Sequence, residues 1–199
     1  GHAGTLDPFA TGLLLVAVGR EATREISEYV GLDKVYEAEF VLGATTDSLD
    51  TETEIVIDPS GPVKNLSLHD IEQAINKLTG EQNQIPPMHS AIKKGGQKLY
   101  KLARQGKSIE REPRTIIVHE FKLLSNPEYQ DDLMIVQVTI KCSSGTYIRA
   151  LARDLGRELG TTGYVRSLRR TSIGNFAIEN AVMLNSLTSE NWRQYSIKL

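Results

Sequence analysis

Residues 133–160, LMIVQVTIKCSSGTYIRALARDLGRELG, change their hydrophobic period partway along. LMIVQVTIKCSS at 133–144 alternates apolar and polar residues, which predicts a strand with one buried face. TYIRALARDLGRELG at 146–160 instead repeats at helical spacing. Ile148, Leu151, Ala152, Leu155 and Leu159 line one side, while Arg149, Arg153 and Arg157 recur every fourth residue on another. Between the two, Gly145 permits a tight turn and Thr146 is placed to cap the helix.

The same strand-then-helix alternation continues outward. TIIVHEFKLL at 115–124 predicts a strand, joined to the alternating one by an acidic turn containing Asn-Pro. Further upstream, Ser67 and Asp70 form a capping-box pattern. They open a helix whose face is Leu68, Ile71, Ile75 and Leu78, and Gly80 is expected to end it. KVYEAEFVLG at 34–43 predicts a strand, and GREATREISEYVG at 19–31 a short helix closed by Gly31. Leu13–Val18 is a continuous apolar run of strand length, expected to be buried. ATTDSLDTETE at 44–54 is acidic and polar, a loop, and residues 44–66 are expected to extend it as a longer flexible loop. QIPPMHSAIKKGGQ at 84–97 reads as irregular, and LYKLARQG at 99–106 as a two-turn helix. YVRSLRRTSIGNFAI at 164–178 predicts a strand with a basic turn, and LTSENWRQYSI at 187–197 a last short helix. Helices and strands mix without a regular βαβ rhythm. That pattern predicts an α+β fold with a mixed, mostly antiparallel sheet flanked by helices.

With 199 residues, 40% hydrophobic and 24% charged, the chain has room for one large core. No apolar run approaches the roughly 18 residues of a membrane span. Neither a basic segment followed by an apolar one nor an initiator Met opens the chain, so a trimmed start is expected. A single cysteine, Cys142, excludes an internal disulfide and suits a reducing cytoplasm. The net charge of −2 conceals blocks. Residues 93–114 carry a net +6 and residues 141–170 a net +5, against −13 over the remainder. Such polarity makes either a basic face that steers polyanions or a set of solvated helix faces.

The patterns of several enzyme classes are absent. There is no CxxC, HExxH, Walker loop, GxGxxG after a strand, or GxSxG elbow. His2, His69, His89 and His119 have no metal-ligand spacing. Catalysis would therefore rest on carboxylates, bases and arginines. GHAGTLDPFATG at 1–12 holds one aspartate, Asp7. Pro8 pushes it toward extended backbone, and the glycines around it allow a ligand close approach. Asp7 reads as a nucleophile, a metal ligand or a turn residue bonded to its own backbone. Arg149, in the first turn of its helix, could pair with a carboxylate or a phosphate. Tyr36 and Tyr147 are either stacking platforms for an extruded base or ordinary packing.

Five segments then carry a resemblance. GHAGTLDPFATGLLLVAVGREAT resembles the aspartate motif of the tRNA pseudouridine synthase B (TruB) family, and KVYEAEFVLGATTDSLD its tyrosine segment. PPMHSAIKKGGQKLYKLARQG is similar to a stretch of the bacterial members. SSGTYIRALARDLG and VRSLRRTSIGNF resemble the arginine motif and the basic hairpin after it. The match runs in order from residue 1 to about residue 178.

The resemblance implies isomerisation of uridine 55 in the tRNA T-loop to pseudouridine, with no metal and no organic cofactor. Asp7 is then the catalytic aspartate, attacking the ribose C1′ or the base C6, or acting on the sugar as a base. Arg149 pairs with it. Tyr36 stacks on the flipped base and takes part in proton removal from C5. Leu168 packs on the far side of the uracil, His2 fills the space the base leaves, and Asp50 lies near the nucleotide. Tyr147, Lys93, Lys94, Lys98, Lys101, Arg104 and Arg169 join the RNA surface. The expected partner is the tRNA T-stem-loop, met by a cytoplasmic monomer with no membrane and no obligate protein partner. Residues 1–178 form the pseudouridine synthase catalytic domain, with an insertion-like region at about 44–125. The family's opening strand and KPxGxTS-like motif are expected to be missing, which would weaken stability and activity. Residues 179–199 form a tail too short for a PUA domain. The rival readings are a non-catalytic tRNA-binding or tRNA-folding module, a guide-RNA-directed sister enzyme and, more remotely, a metal-dependent hydrolase.

Overall fold

The structure, a computed structural model, describes residues 1–59, 63–90, 93–94, 97–98 and 109–197. Its strands are β1 (Thr11–Gly12), β2 (Lys34–Leu42), β3 (Ala44–Thr45), β4 (Val56–Ile57), β5 (Gly80–Gln84) and β6 (Lys93–Lys94). They continue as β7 (Gln97–Lys98), β8 (Arg114–Leu123), β9 (Glu128–Gln130), β10 (Leu133–Cys142), β11 (Gly163–Ile173) and β12 (Phe176–Ala177). The α-helices are α1 (Arg20–Gly31), α2 (Leu68–Lys77) and α3 (Ile148–Glu158). The main sheet runs β1-β11-β2-β10-β8-β5, with β12 on β11 and β9 on β10. Every pairing in it is antiparallel except β1 with β11. This is the expected α+β fold.

The alternation in β10 has the predicted effect. Met134, Val136, Val138, Ile140 and Cys142 are buried in one cluster with Phe40 and Leu42 of β2, Ile71 and Ile75 of α2, and Leu151 and Leu155 of α3. Phe40 and Phe121 meet edge-on with ring centroids 6.1 Å apart. Each such fully buried side chain contributes roughly 1.5–3 kcal/mol of transfer free energy. The Ser67–Asp70 capping box is formed in both directions. Close packing of α3 on β11 needs Gly156, where a Cβ would fall 2.5 Å from the Thr162 backbone. That approach fixes the depth of the helix carrying Arg149.

Several expectations are corrected. The apolar run at 13–18 is not a buried strand: Leu13 is buried, but Leu14, Val16 and Val18 are exposed. The strand is Thr11–Gly12, and residues 15–17 bond instead to residues 1–3, through Ala3 N–H to Leu15 O and Ala17 N–H to Gly1 O, both 2.9 Å. The polar segment 44–54 is a loop beyond Thr45, as expected, but much of it is not exposed. Ala44–Thr45 pairs with β4, and Thr46, Ser48, Leu49 and Asp50 are buried. Leu68 is exposed, with Ala74 taking its place on the buried face of α2. Gly80 does not end that helix, which closes at Leu78. Gly80 instead begins β5 with φ +99°, and β6 and β7 pair within a stretch expected to be irregular. The Asn-Pro connection carries a strand of its own, β9.

Thr146 does not cap α3. Tyr147 is the N-cap residue, and the Thr146 hydroxyl donates to Ser143 O at 2.9 Å. The basic residues of 164–178 lie within β11, whose turn into β12 is Gly174–Asn175. The last helix is a 3₁₀ turn, Trp192–Tyr195. The helix expected at 99–106 lies outside the described residues.

Candidate active site

The loop carrying Asp7 is set against β11. Thr11 and Gly12 pair with Arg169 and Arg170, and Leu13 N–H donates to Arg170 O at 2.8 Å. Gly12 has φ +105°, and a Cβ there would lie 2.2 Å from the Arg170 carbonyl oxygen. Only glycine lets the chain pass this close. Between Gly4 and Gly12 the chain turns, with Ala10 N–H donating to Asp7 O at 2.9 Å.

Asp7 and Arg149 form a bidentate pair. Arg149 Nε donates to Asp7 Oδ2 and Nη2 to Oδ1, both at 2.9 Å. The arginine side chain is 4% exposed and the aspartate side chain 34%, so the pair is sealed on one side and open on the other. The remaining guanidinium hydrogens also have acceptors. Nη1 donates to Ser48 O at 2.7 Å and lies 3.1 Å from Asp50 Oδ2, while Nη2 donates to His89 O at 2.8 Å. Asp50 is held in turn by the Ser48 hydroxyl, 2.5 Å from Oδ1, and by Glu52 N–H at 2.9 Å. It stands behind Arg149, buried from solvent. A fully bonded fork of this kind cannot swing, so the carboxylate it grips is fixed in direction.

Burial pushes the Asp7 carboxyl above its ordinary value. Arg149 pulls the other way through charge and hydrogen bonds, and Asp50 adds a further upward push. The result is a poorly hydrated carboxylate aimed by an arginine, a combination suited to meeting positive charge that develops on a bound ligand.

Tyr36, half-buried on β2, sits opposite Arg170 of β11 and Ile140 of β10. Burial raises its phenol above the ordinary value; Arg170 opposes this, and Asp7 is near enough to add to it. Leu168 belongs to the apolar cluster that Phe9, Ala10 and Tyr36 border. The aspartate loop, Tyr36, Leu168 and Arg149 therefore come together at one end of the β2–β11 pair. Tyr147 is partly buried at the start of α3, and both its backbone groups bond to the amide of buried Gln84, at 2.8 and 3.1 Å. His2 is exposed beside Val16, and Arg169 is exposed opposite Glu37. Lys93 and Lys94 fall in β6 and Lys98 in β7, its antiparallel partner, while Lys101 and Arg104 lie outside the described residues. Among the described residues no group of three or more His, Cys, Asp or Glu side chains is arranged to hold a metal.

Sequence reasoning missed Gln84, the carbonyls of Ser48 and His89, and Arg170. For Arg170 a signal existed, because strand alternation puts it on the face of Leu168. For the carbonyls no side-chain pattern could have shown it.

This fold has counterparts among known proteins. The chain superposes over 100% of its length on 48% of a chain in the crystal structure of a Cbf5-Nop10-Gar1 complex, with a TM-score of 0.67 and 27% identity. Residues 1–148 match the model of the TruB family pseudouridylate synthase N-terminal domain. Residues 149–198 match that of the tRNA pseudouridylate synthase B C-terminal domain. The tRNA pseudouridine synthase B of Mycobacterium tuberculosis is 46% identical over 187 residues, covering 94% of this chain and 61% of that protein. The protein of that name from Endomicrobium trichonymphae is 45% identical, covering 95% and 79%. The one from Clostridium novyi is 42% identical, covering 100% and 66%. The chain belongs to the TruB family of pseudouridylate synthases. It spans about three-fifths of the length of its mycobacterial relatives.

Proposed function

We propose that this chain isomerises uridine 55, in the T-loop of tRNA, to pseudouridine. The observation that carries the reading is the bidentate Asp7–Arg149 pair, sealed behind and open in front. In the reaction the bond from uracil N1 to ribose C1′ breaks with its electron pair going to N1, the uracil turns, and C5 bonds to C1′ while its hydrogen leaves as a proton and N1 takes up one from solvent. Departure of the base leaves the sugar electron-poor. Asp7 serves this step by attack on C1′ or on C6 of the base, or as a base toward the sugar. Arg149 keeps the carboxylate aimed, and Asp50 keeps Arg149 in place. Tyr36 stacks on the base and assists loss of the C5 proton, while Leu168 packs against the opposite face.

The target uridine lies inside a folded loop and must be flipped out to reach Asp7. His2 then occupies the vacated space, and Tyr147, Lys93, Lys94, Lys98, Lys101, Arg104 and Arg169 grip the RNA. Phosphate contacts of this kind position the RNA and make its affinity salt-dependent. The reading takes the chain as a monomer with no obligate protein partner, and a tRNA substrate goes with a cytoplasmic location. Among the described residues no helix is long and apolar enough to cross a membrane. Residues 1–178 make up the catalytic unit in this reading.

The test is tritium release from a T-stem-loop RNA carrying uridine labelled at C5. Wild type is expected to release the label. Asp7→Asn is expected to slow release by roughly 10³-fold or more while still binding RNA. RNA binding without release by wild type would assign the chain to tRNA binding or folding instead.

A further inference from the structure

One side chain holds both ends of the Asp7 loop. Arg170 is 1% exposed, the bulkiest of the fully buried side chains. Its Nε donates to Leu13 O at 2.8 Å and its Nη2 to Gly4 O at 3.1 Å. Those two carbonyls bracket the segment that carries Asp7. The backbone of Arg170 grips the same loop through Leu13 N–H and the tight passage at Gly12. Its register partner on β2 is Tyr36, whose phenol its charge influences.

The surroundings show what Arg170 is not for. Among the described residues it forms no ion pair with a carboxylate, and its charge bears instead on the like charge of Lys34 and on the Tyr36 phenol. Burying a cation without a counter-charge costs stability. It is kept where its geometry is needed: a guanidinium is a planar fork that can reach two carbonyls in divergent directions, whereas an ammonium is a point donor.

We propose that Arg170 is a positioning residue that locks the Asp7 loop and Tyr36 into one geometry, so that carboxylate and ring meet the same nucleotide. This rests on the reading of Asp7 as the catalytic carboxylate. Misplacement of a reacting group by about 1 Å costs on the order of 10²-fold in rate.

The experiment is single-turnover tritium release by the full chain from the C5-labelled T-stem-loop, recording rate constant, amplitude and RNA dissociation constant. For Arg170→Lys the rate constant is expected to fall about 10- to 100-fold at full amplitude, with RNA affinity within about threefold of wild type. Gly12→Ala disturbs the same docking without touching the guanidinium, and is expected to act in the same direction. A purely structural role would lower the amplitude, the active fraction, and leave the rate constant of the surviving molecules unchanged. A rate constant within about twofold of wild type in either folded variant overturns the proposal, whatever the amplitude. So does a rate loss matched by an equal loss of RNA affinity, which would make Arg170 an RNA contact. Should neither variant fold, the role is structural and the proposal falls. Wild type without release, or Asp7→Asn with undiminished release, overturns the reading of Asp7 and this proposal with it. Arg170→Lys at the wild-type rate beside an inert Asp7→Asn overturns the proposal alone.

Discussion

Arg149 and Arg170 are both buried, yet they keep different company. Arg149 faces two carboxyl groups and two carbonyls, and each of its nitrogens has an acceptor. Arg170 donates to carbonyls, and no carboxylate pairs with it among the described residues. A cation among carboxylates sets the electrostatics of its pocket. A cation among carbonyls sets the path of the backbone that supplies them. Here the two tasks fall on neighbouring elements, α3 and β11, and meet at Asp7.

The contrast breaks first at Arg149. Arg149→Met leaves Asp50 buried without its cation and Asp7 without its clamp. The expected loss is about 3–5 kcal/mol in urea unfolding, with the larger share from Asp50, because Asp7 is partly open to water. Adding Asp50→Leu should recover part of it, and no recovery would mean that the two charges are not coupled. At Arg170 the expected loss is smaller. Arg170→Met leaves the Gly4 and Leu13 carbonyls unpaired, for about 1–3 kcal/mol by the same method. Lysine should rescue position 149 more than position 170, because only the first has carboxylates to satisfy.

A gentler change sharpens the electrostatic half. Asp50 raises the Asp7 value, so Asp50→Asn should lower it. In the proposed mechanism the ionised form of Asp7 is the working one, so the acid limb of the rate–pH profile should move to lower pH. A limb that stays or moves upward contradicts the role given to Asp50. The smallest effect belongs to an exposed polar cluster that bonds to neither arginine. Ser67→Ala removes the capping box for about 1 kcal/mol and should leave tritium release unchanged.

Helix α2, strand β10 and the amphipathic α3 were legible because each shows one hydrophobic period and the core takes the face that period marks. The Asp7–Arg149 pair was legible only through resemblance, since spacing left Asp7 open between turn, ligand and nucleophile. The exposure of 13–18 and the burial within the 46–50 loop were illegible for a shared reason. Hydropathy does not report backbone pairing. Leu14 and Val16 remain exposed because their segment runs alongside residues 1–3 outside the main cluster. Thr46, Ser48 and Asp50 are buried because they bond to one another and to an arginine about a hundred residues away. Such a pocket closes only when β2, α3 and the segment around His89 are already in place, so no local window of sequence contains it.

In the proposed function Asp7, gripped by Arg149, makes this chain a tRNA uridine isomerase. Mapping pseudouridine along an unmodified tRNA transcript after incubation with the full chain tests it most directly. The account predicts one new pseudouridine, at the T-loop uridine, with wild type and none with Asp7→Asn. A transcript left unmodified by wild type, or modified equally by Asp7→Asn, would contradict it.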